Sequence, residues 1–87
     1  MRLLDLLGRR WTLRVLWELH GEDPLTFRAL REACGGISPT VLNTRLSELH
    51  DAGIVDKTDT GYALSPQGRA LSDLLVPLDT WARRWAR

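Results

Sequence analysis

Apolar residues recur along the chain at helical spacing. From Arg9 to His20, RRWTLRVLWELH sets Leu13, Val15, Leu16 and Leu19 on that period, and Trp11 and Trp17 add bulk. The pattern predicts a first long helix, with Gly21 standing just past its end where a C-terminal cap belongs. RLLDLL before it predicts a separate turn or two of helix, jointed at Gly8. After the turn-forming GEDP, LTFRALREACGG offers Thr26 as an N-cap and repeats Phe27, Leu30 and Cys34 every three to four residues. A short helix is expected there, ended by Gly35 and Gly36.

The next segment, GGISPTVLNTRLSELHDAGIV, carries the clearest two-sided pattern. Ser38 sits at an N-cap position, Pro39 presets a helical φ at the first helical residue, and Gly53 closes the run. On a helical wheel Leu42, Leu46 and Leu49 fall within about 60° of one another and must face a core. Thr40, Asn43, Thr44 and Ser47 lie opposite, with Val41 and Arg45 at the boundary. A helix that only filled a core would have no use for an outer row of short hydrogen-bonding side chains.

IVDKTDTGYALS reads as a hairpin of Ile54 to Lys57 and Tyr62 to Leu64, turned by Asp59, Thr60 and Gly61. Ser65 and Pro66 repeat the Ser-Pro start and open a helix running to the C-terminus. In it Leu71, Leu78 and Trp85 recur every seven residues, as do Leu74 and Trp81, giving a seam of heptad type. Pro77 interrupts the seam and predicts a kink or break.

This order makes the fold class mainly α with a small β-hairpin: a winged helix-turn-helix over residues 1–87, with the N- and C-terminal helices forming a dimer interface. The recognition helix spans about 38–52, the wing about 54–64 and the dimerisation helix about 65–87. A chain of 87 residues fits one small core, and self-association would add burial. Leu3, Leu4, Leu6 and Leu7 with Leu71, Leu74, Leu78, Trp81 and Trp85 offer more apolar area than such a core can cover. The assigned dimer residues are Leu3, Leu4, Leu7, Leu71, Leu74, Leu78, Trp81 and Trp85.

Composition then narrows the class. The apolar share of 44% and charged share of 26% are those of a soluble globular protein. No apolar run approaches the roughly 18 residues a membrane span needs, and MRLLDLLGRR lacks the cleavage site of a signal peptide. A cytoplasmic location is expected, with no membrane partner. One cysteine, Cys34, excludes an internal disulfide framework. Net charge is only +1, so any contact with nucleic acid must be local. Eight arginines against four acids lie in the first 20 and last 22 residues, and the middle is slightly acidic.

Double-stranded DNA is the partner this pattern suits. A major groove about 12 Å wide admits one helix, and short polar residues near its N-terminus allow close approach to base edges. Thr40, Asn43 and Thr44 are best placed: Asn can bond adenine in bidentate fashion, and a Thr methyl can touch that of thymine. The helix N-terminus, with the Ser38 hydroxyl beside it, presents N–H groups to a phosphate. Arg45 suits a phosphate clamp better than a base reader, and Arg28 and Arg31 could grip the backbone as well.

LLGRRWTLRVLWEL, LTFRALREACGGISPTVLNTRLSELHDAGIV and YALSPQGRAL together resemble the HxlR-type family of bacterial winged-helix transcription regulators. The shared pattern is a Gly-Lys-Trp-Thr-like start, a Phe-x-x-Leu second helix, an Ile-Ser-x-x-x-Leu-x-x-Arg-Leu-x-x-Leu recognition helix and a Leu-Thr-x-x-Gly start of the last helix. The resemblance covers residues 4 to about 81. It implies a homodimer on a pseudo-palindromic operator, paired through helices at the two chain ends. It also implies recognition-helix positions for Ser38, Thr40, Val41, Thr44 and Arg45, and matches Arg10 and Trp11 to a basic-aromatic pair. Trp11 is open between a phosphate contact and a core position. The wing is clipped and acidic beside the family's, with Asp56 and Asp59 against Lys57, the one wing residue assigned to DNA. The cysteine that some members carry ahead of the first long helix is missing here.

Catalysis finds little support. His20 and His50 close helices without neighbours at metal-ligand spacing, and there is no phosphate-cradling glycine loop and no nucleophile paired with a base. No cofactor or metal is expected, and the chain is not read as an enzyme. A pocket among the tryptophans could take an aromatic or cationic effector of unknown identity. The function expected is a sequence-specific DNA-binding transcriptional regulator, a homodimer acting as a repressor through operator occupancy. The rival is a winged-helix module for protein association whose polar face is merely solvated.

Overall fold

Three leucines of one helix organise the core. In this computed structural model, which describes residues 2–87, the chain runs through α1 (Arg2–Leu7), α2 (Thr12–Glu18), α3 (Phe27–Cys34), α4 (Pro39–Asp51), β1 (Val55–Thr58), β2 (Gly61–Leu64) and α5 (Pro66–Trp85). Leu42, Leu46 and Leu49 of α4 are buried, as the wheel requires. They meet Val15, Leu16 and Leu19 from α2 and its end, Leu30 and Cys34 from α3, and Ile37, Ile54, Val55 and Leu64 from the connections and hairpin. Only Gly68 and Ser72 of α5 are buried, although Leu71 and Leu75 pack against the core edge.

The helix starts follow the capping logic. The Thr26 hydroxyl accepts the Ala29 N–H at 3.1 Å and the Ser38 hydroxyl accepts the Val41 N–H at 3.1 Å. Such a cap is worth about 1 kcal/mol. Ser65 does more: it accepts the Gly68 N–H at 3.0 Å and reaches the carbonyls of Gly53 and Ile54 at 2.6 and 3.1 Å, fastening the start of α5 to the end of α4. Between α3 and α4 the backbone turns through positive φ at Gly35 (60°) and Gly36 (106°), a region that side chains disfavour.

The strands sit slightly off the sequence reading. They pair antiparallel in the register Val55↔Leu64, Asp56↔Ala63, Lys57↔Tyr62 and Thr58↔Gly61, so Gly61 belongs to β2 and the turn is Asp59–Thr60. Leu25, which follows the GEDP turn and precedes the Thr26 cap, bridges β2: its N–H bonds the Tyr62 carbonyl at 2.9 Å, and the Tyr62 N–H bonds the Leu25 carbonyl at 2.7 Å. This third backbone segment ties the wing to the start of α3.

Three other expectations change. The first long helix begins at Thr12 rather than Arg9, because Trp11 adopts φ 77°, ψ −13° and ends any helical run ahead of it. Trp11 is the one non-glycine with positive φ among the described residues, a conformation costing about 1–2 kcal/mol. Gly21 is not a left-handed cap. α2 ends at Leu19 in a right-handed turn whose N–H reaches the Val15 and Trp17 carbonyls, and Arg69 of α5 takes the carbonyls of His20 and Gly21 at 2.8 and 2.7 Å. Nor does Pro77 break α5, which is continuous from Pro66 to Trp85. Asp73 and Pro77 are both exposed, so water can replace the N–H that the Asp73 carbonyl loses.

Gly68 marks where α5 leans closest on the core. A Cβ there would lie 2.1 Å from the Ile54 carbonyl oxygen, a backbone atom with no freedom to swing aside. Gly68→Ala should therefore cost about 1–3 kcal/mol, lowering the urea midpoint with the slope unchanged. Gly21→Ala is the control: a Cβ there meets nothing within 4 Å, and its effect should stay within about 0.5 kcal/mol.

Candidate nucleic-acid interface

With its leucines inward, α4 turns Thr40, Asn43, Thr44 and Ser47 outward, and all four are exposed. Their hydrogen-bonding capacity is partly allotted. The Thr44 hydroxyl donates to the Thr40 carbonyl at 3.0 Å, which leaves Thr44 a lone pair and a methyl group to offer a base. Pro39 has no N–H, the Val41 N–H is taken by the Ser38 hydroxyl, and the Leu42 N–H goes to the Ser38 carbonyl at 3.0 Å. In the first turn of α4 only the Thr40 N–H is left to meet an anion.

The basic residues are less free than their positions in the sequence suggest. Arg45, expected as a phosphate clamp, donates its Nε to the Arg10 carbonyl at 2.8 Å and pairs its Nη1 with Glu48 at 2.5 Å, leaving the side chain 19% exposed. It is committed to the protein's own chain because α4 passes directly beside the α1–α2 joint. Val41, placed on the same face, is half-buried and packs against the core. Arg10 is exposed, its guanidinium 5.8 Å from the Trp11 ring centre, and Trp11 itself packs on the core edge.

Arg28 and Arg31 keep more of their reach. They line an open cleft of about 760 Å³ with Phe27, Glu32, Gly35–Gly36 and the Ser38–Pro39 start of α4. Arg28 pairs with Glu32 at 3.4 Å on the surface, a contact worth little, and the Arg31 Nε donates to the Ile37 carbonyl at 3.2 Å. The cleft therefore sets two guanidinium groups beside the N-terminus of the polar helix.

A second, smaller cleft of about 190 Å³ separates α4 from the wing. It joins Asn43 and Lys57, both anticipated, to Ser47, His50 and Tyr62. His50, expected only to close its helix, sets its Nδ1 3.1 Å from the Val55 carbonyl. Its place at the wing was not visible in the helical period, since the hairpin register decides it.

At the other end of the molecule the seam divides. Leu7 and Leu71, both assigned to a dimer interface, pack against the chain's own core edge. Leu3, Leu4, Leu78 and Trp81 are exposed, and Leu74 and Trp85 remain 71% and 72% exposed. Trp81 and Trp85 stack on each other, ring centres 5.9 Å apart. Leu13 of α2, also exposed, lies beside Leu78 of this surface without having been anticipated. Beside it an apolar groove of about 320 Å³ runs between α2 and α5, lined by Leu13, Trp17, Leu75, Leu78 and Ala82 with Arg14 and Asp79 at the rim. Trp17 is the one tryptophan in its wall, and it stacks on His20 at 4.5 Å.

A helix, a glycine turn, a polar-faced helix and a hairpin in this order match known proteins throughout. The sequence model of the HxlR-like helix-turn-helix family covers residues 6–87. The chain belongs to that family. A possible HxlR family transcriptional factor from Thermoplasma volcanium GSS1 superposes with a TM-score of 0.89 at 30% identity, covering 98% of this chain and 82% of that one. Quinone-bound YodB from B. subtilis superposes with a TM-score of 0.86 at 30% identity, covering 95% and 93%. The HTH-type transcriptional regulator YdzF of Bacillus subtilis (strain 168) is 29% identical over 85 residues, 90% of this chain and 78% of that protein. The winged helix fold and the class of HxlR-type DNA-binding transcriptional regulator follow. No helix among the described residues is long and apolar enough to cross a membrane.

The cysteine of this HxlR-type chain sits in the core rather than at a surface. Burial pushes the Cys34 thiol above its ordinary pKa, the nearby Glu18 carboxylate adds to the rise, and Arg14 opposes it. Because the thiolate is the reactive form, a water-soluble disulfide reagent should modify native Cys34 on the order of 100-fold more slowly than the urea-unfolded chain. The native rate should climb only as pH passes the usual thiol range near 8.5, which a pH series of thiol titrations would check.

Proposed function

We propose that this HxlR-type regulator acts as a homodimer on a pseudo-palindromic operator, with α4 of each copy in a major groove, and that it represses by occupying the site. The observation that carries this is the two-sidedness of α4: its leucines are buried, and Thr40, Asn43, Thr44 and Ser47 stand free on the outside. Asn43 and Thr44 are the base-reading residues, with Thr40 and Ser38 at the first phosphate. Arg28 and Arg31 grip the backbone from the adjoining cleft, and Lys57 approaches from the wing.

Pairing through Leu3, Leu4, Leu74, Leu78, Trp81 and Trp85 would cover the apolar surface that a single copy leaves in water. On an operator contacted in successive major grooves, the two α4 helices would sit about 34 Å apart, one turn of DNA. The α2–α5 groove beside Trp17 has the size and apolar lining for a small aromatic effector. The relative YodB has been seen with a quinone bound. Here the groove suits such a ring better than the buried, protonated Cys34 does.

One observation favours the rival reading, a protein-association module. Arg45 is tied to Glu48 and the Arg10 carbonyl, so the polar face of α4 carries little free positive charge of its own. Salt separates the two. A dimer making about six to eight phosphate contacts should bind its own promoter with a log K against log salt slope near −5 to −7. Retention that does not respond to salt would leave the association module standing. Thr44→Ala should cost about 1–3 kcal/mol on the operator and little on random DNA, whereas Thr44→Val, which keeps the methyl, should cost less if thymine is what it reads. For the assembly, Leu74→Glu with Leu78→Glu should convert the dimer to monomer in sedimentation while leaving the fold intact, since both side chains lie in water in the single copy.

A further inference from the structure

The α1–α2 joint carries unexplained strain. Trp11 holds φ 77° without being glycine, and the hydroxyl of the next residue, Thr12, is buried with no hydrogen-bond partner among the described residues. A backbone left to itself would relax out of both. Three charged side chains hold it: Arg45 of α4 donates Nε to the Arg10 carbonyl at 2.8 Å, Glu48 takes Arg45 on one carboxylate oxygen, and Arg9 pairs with the other. Beyond the joint, α1 has no buried residue, only Leu6 and Leu7 resting on the core edge. Its direction therefore depends on how the joint is held.

We propose that Arg45 and Glu48 are positioning residues of the regulator: they latch the strained joint onto the recognition helix and so fix where α1 points relative to the DNA-reading face. The inference rests on the DNA-binding reading for its consequence, not for its geometry. Were Arg45 to turn to a phosphate instead, it would abandon the Arg10 carbonyl and leave the Glu48 carboxylate facing the DNA with one counter-charge fewer. A single guanidinium cannot serve both places. Opening the latch lets Trp11 leave the left-handed region and α1 swing, so pairing of the end helices and presentation of α4 become linked through one carboxylate.

The test uses the whole chain and three variants, Arg45→Lys, Arg45→Ala and Glu48→Gln. Hydrogen exchange should speed about 10-fold or more at the amides of Gly8 to Thr12 in all three, with protection at Leu46 and Leu49 unchanged. Lysine keeps the charge but not the planar fork, so it should fail as alanine does. Operator affinity should fall in each variant while the salt slope stays that of the parent. The latch is overturned if exchange at the joint is unchanged, or if Arg45→Ala shallows the slope by about 1 per copy and Arg45→Lys restores it, the signature of a phosphate contact. Should Arg45→Ala not fold, Glu48→Gln decides by the same two readings. Should no DNA bind to any form, the DNA reading fails by itself and the exchange at the joint still decides the latch.

Discussion

Leu42, Leu46 and Leu49 oblige α4 to keep one side in the core, and a helix with one side fixed cannot choose what the other side shows. That constraint orients everything around it. α2 and α3 supply Val15, Leu16, Leu19, Leu30 and Cys34 to the same cluster, the hairpin adds Val55 and Leu64, and each contributor is thereby set at one place around α4. The glycine turn and the Ser38 cap then decide only the height at which α4 begins. The outward row of Thr40, Asn43, Thr44 and Ser47 is a consequence of the burial opposite, so the core and the proposed reading face are one feature seen from two sides.

Features governed by local periodicity were legible in the sequence: the leucine face of α4, the serine and threonine caps, the hairpin and the element order all follow from residues a few positions apart. Features that need two distant segments to meet were not. Nothing in GEDPL announces that Leu25 will bridge Tyr62, and nothing in the wheel of α4 announces that Arg45 will find the carbonyl of a residue 35 positions away. The heptad seam shows the same division. Its repeat groups Leu71 with Leu74 and Leu78, but the side of α5 that carries Gly68 and Ser72 is the one turned to the core, which draws in Leu71 and leaves Leu74 in water. Pro77 erred in the other direction, because the penalty assigned to it assumes a carbonyl with no alternative partner, and an exposed helix face provides water.

The charge distribution makes this a chain that cannot rely on electrostatics alone. Net charge is +1, and Arg9, Arg14, Arg28, Arg45 and Arg83 all have carboxylate partners within the chain. A regulator built this way gains little from non-specific attraction to phosphate, which for strongly basic proteins supplies most of the affinity for any DNA. On the proposed reading, what remains is the row of short polar groups in the first turns of α4, with Arg28, Arg31 and Lys57 for the backbone.

If the chain binds as proposed, few charged contacts per copy would place the weight on pairing. Joining two copies turns the second binding event into an intramolecular one, raising affinity without a new contact, provided both faces arrive in register. The register requirement is geometric, and it reaches α4 through whatever connects the end helices to the core. α5 is fastened at its start by Ser65 on the carbonyls of Gly53 and Ile54, and by Arg69 on those of His20 and Gly21. α1 has no comparable anchor except the joint at Arg9 to Trp11. A strained backbone that needs outside bonds to persist holds its direction only while those bonds are kept.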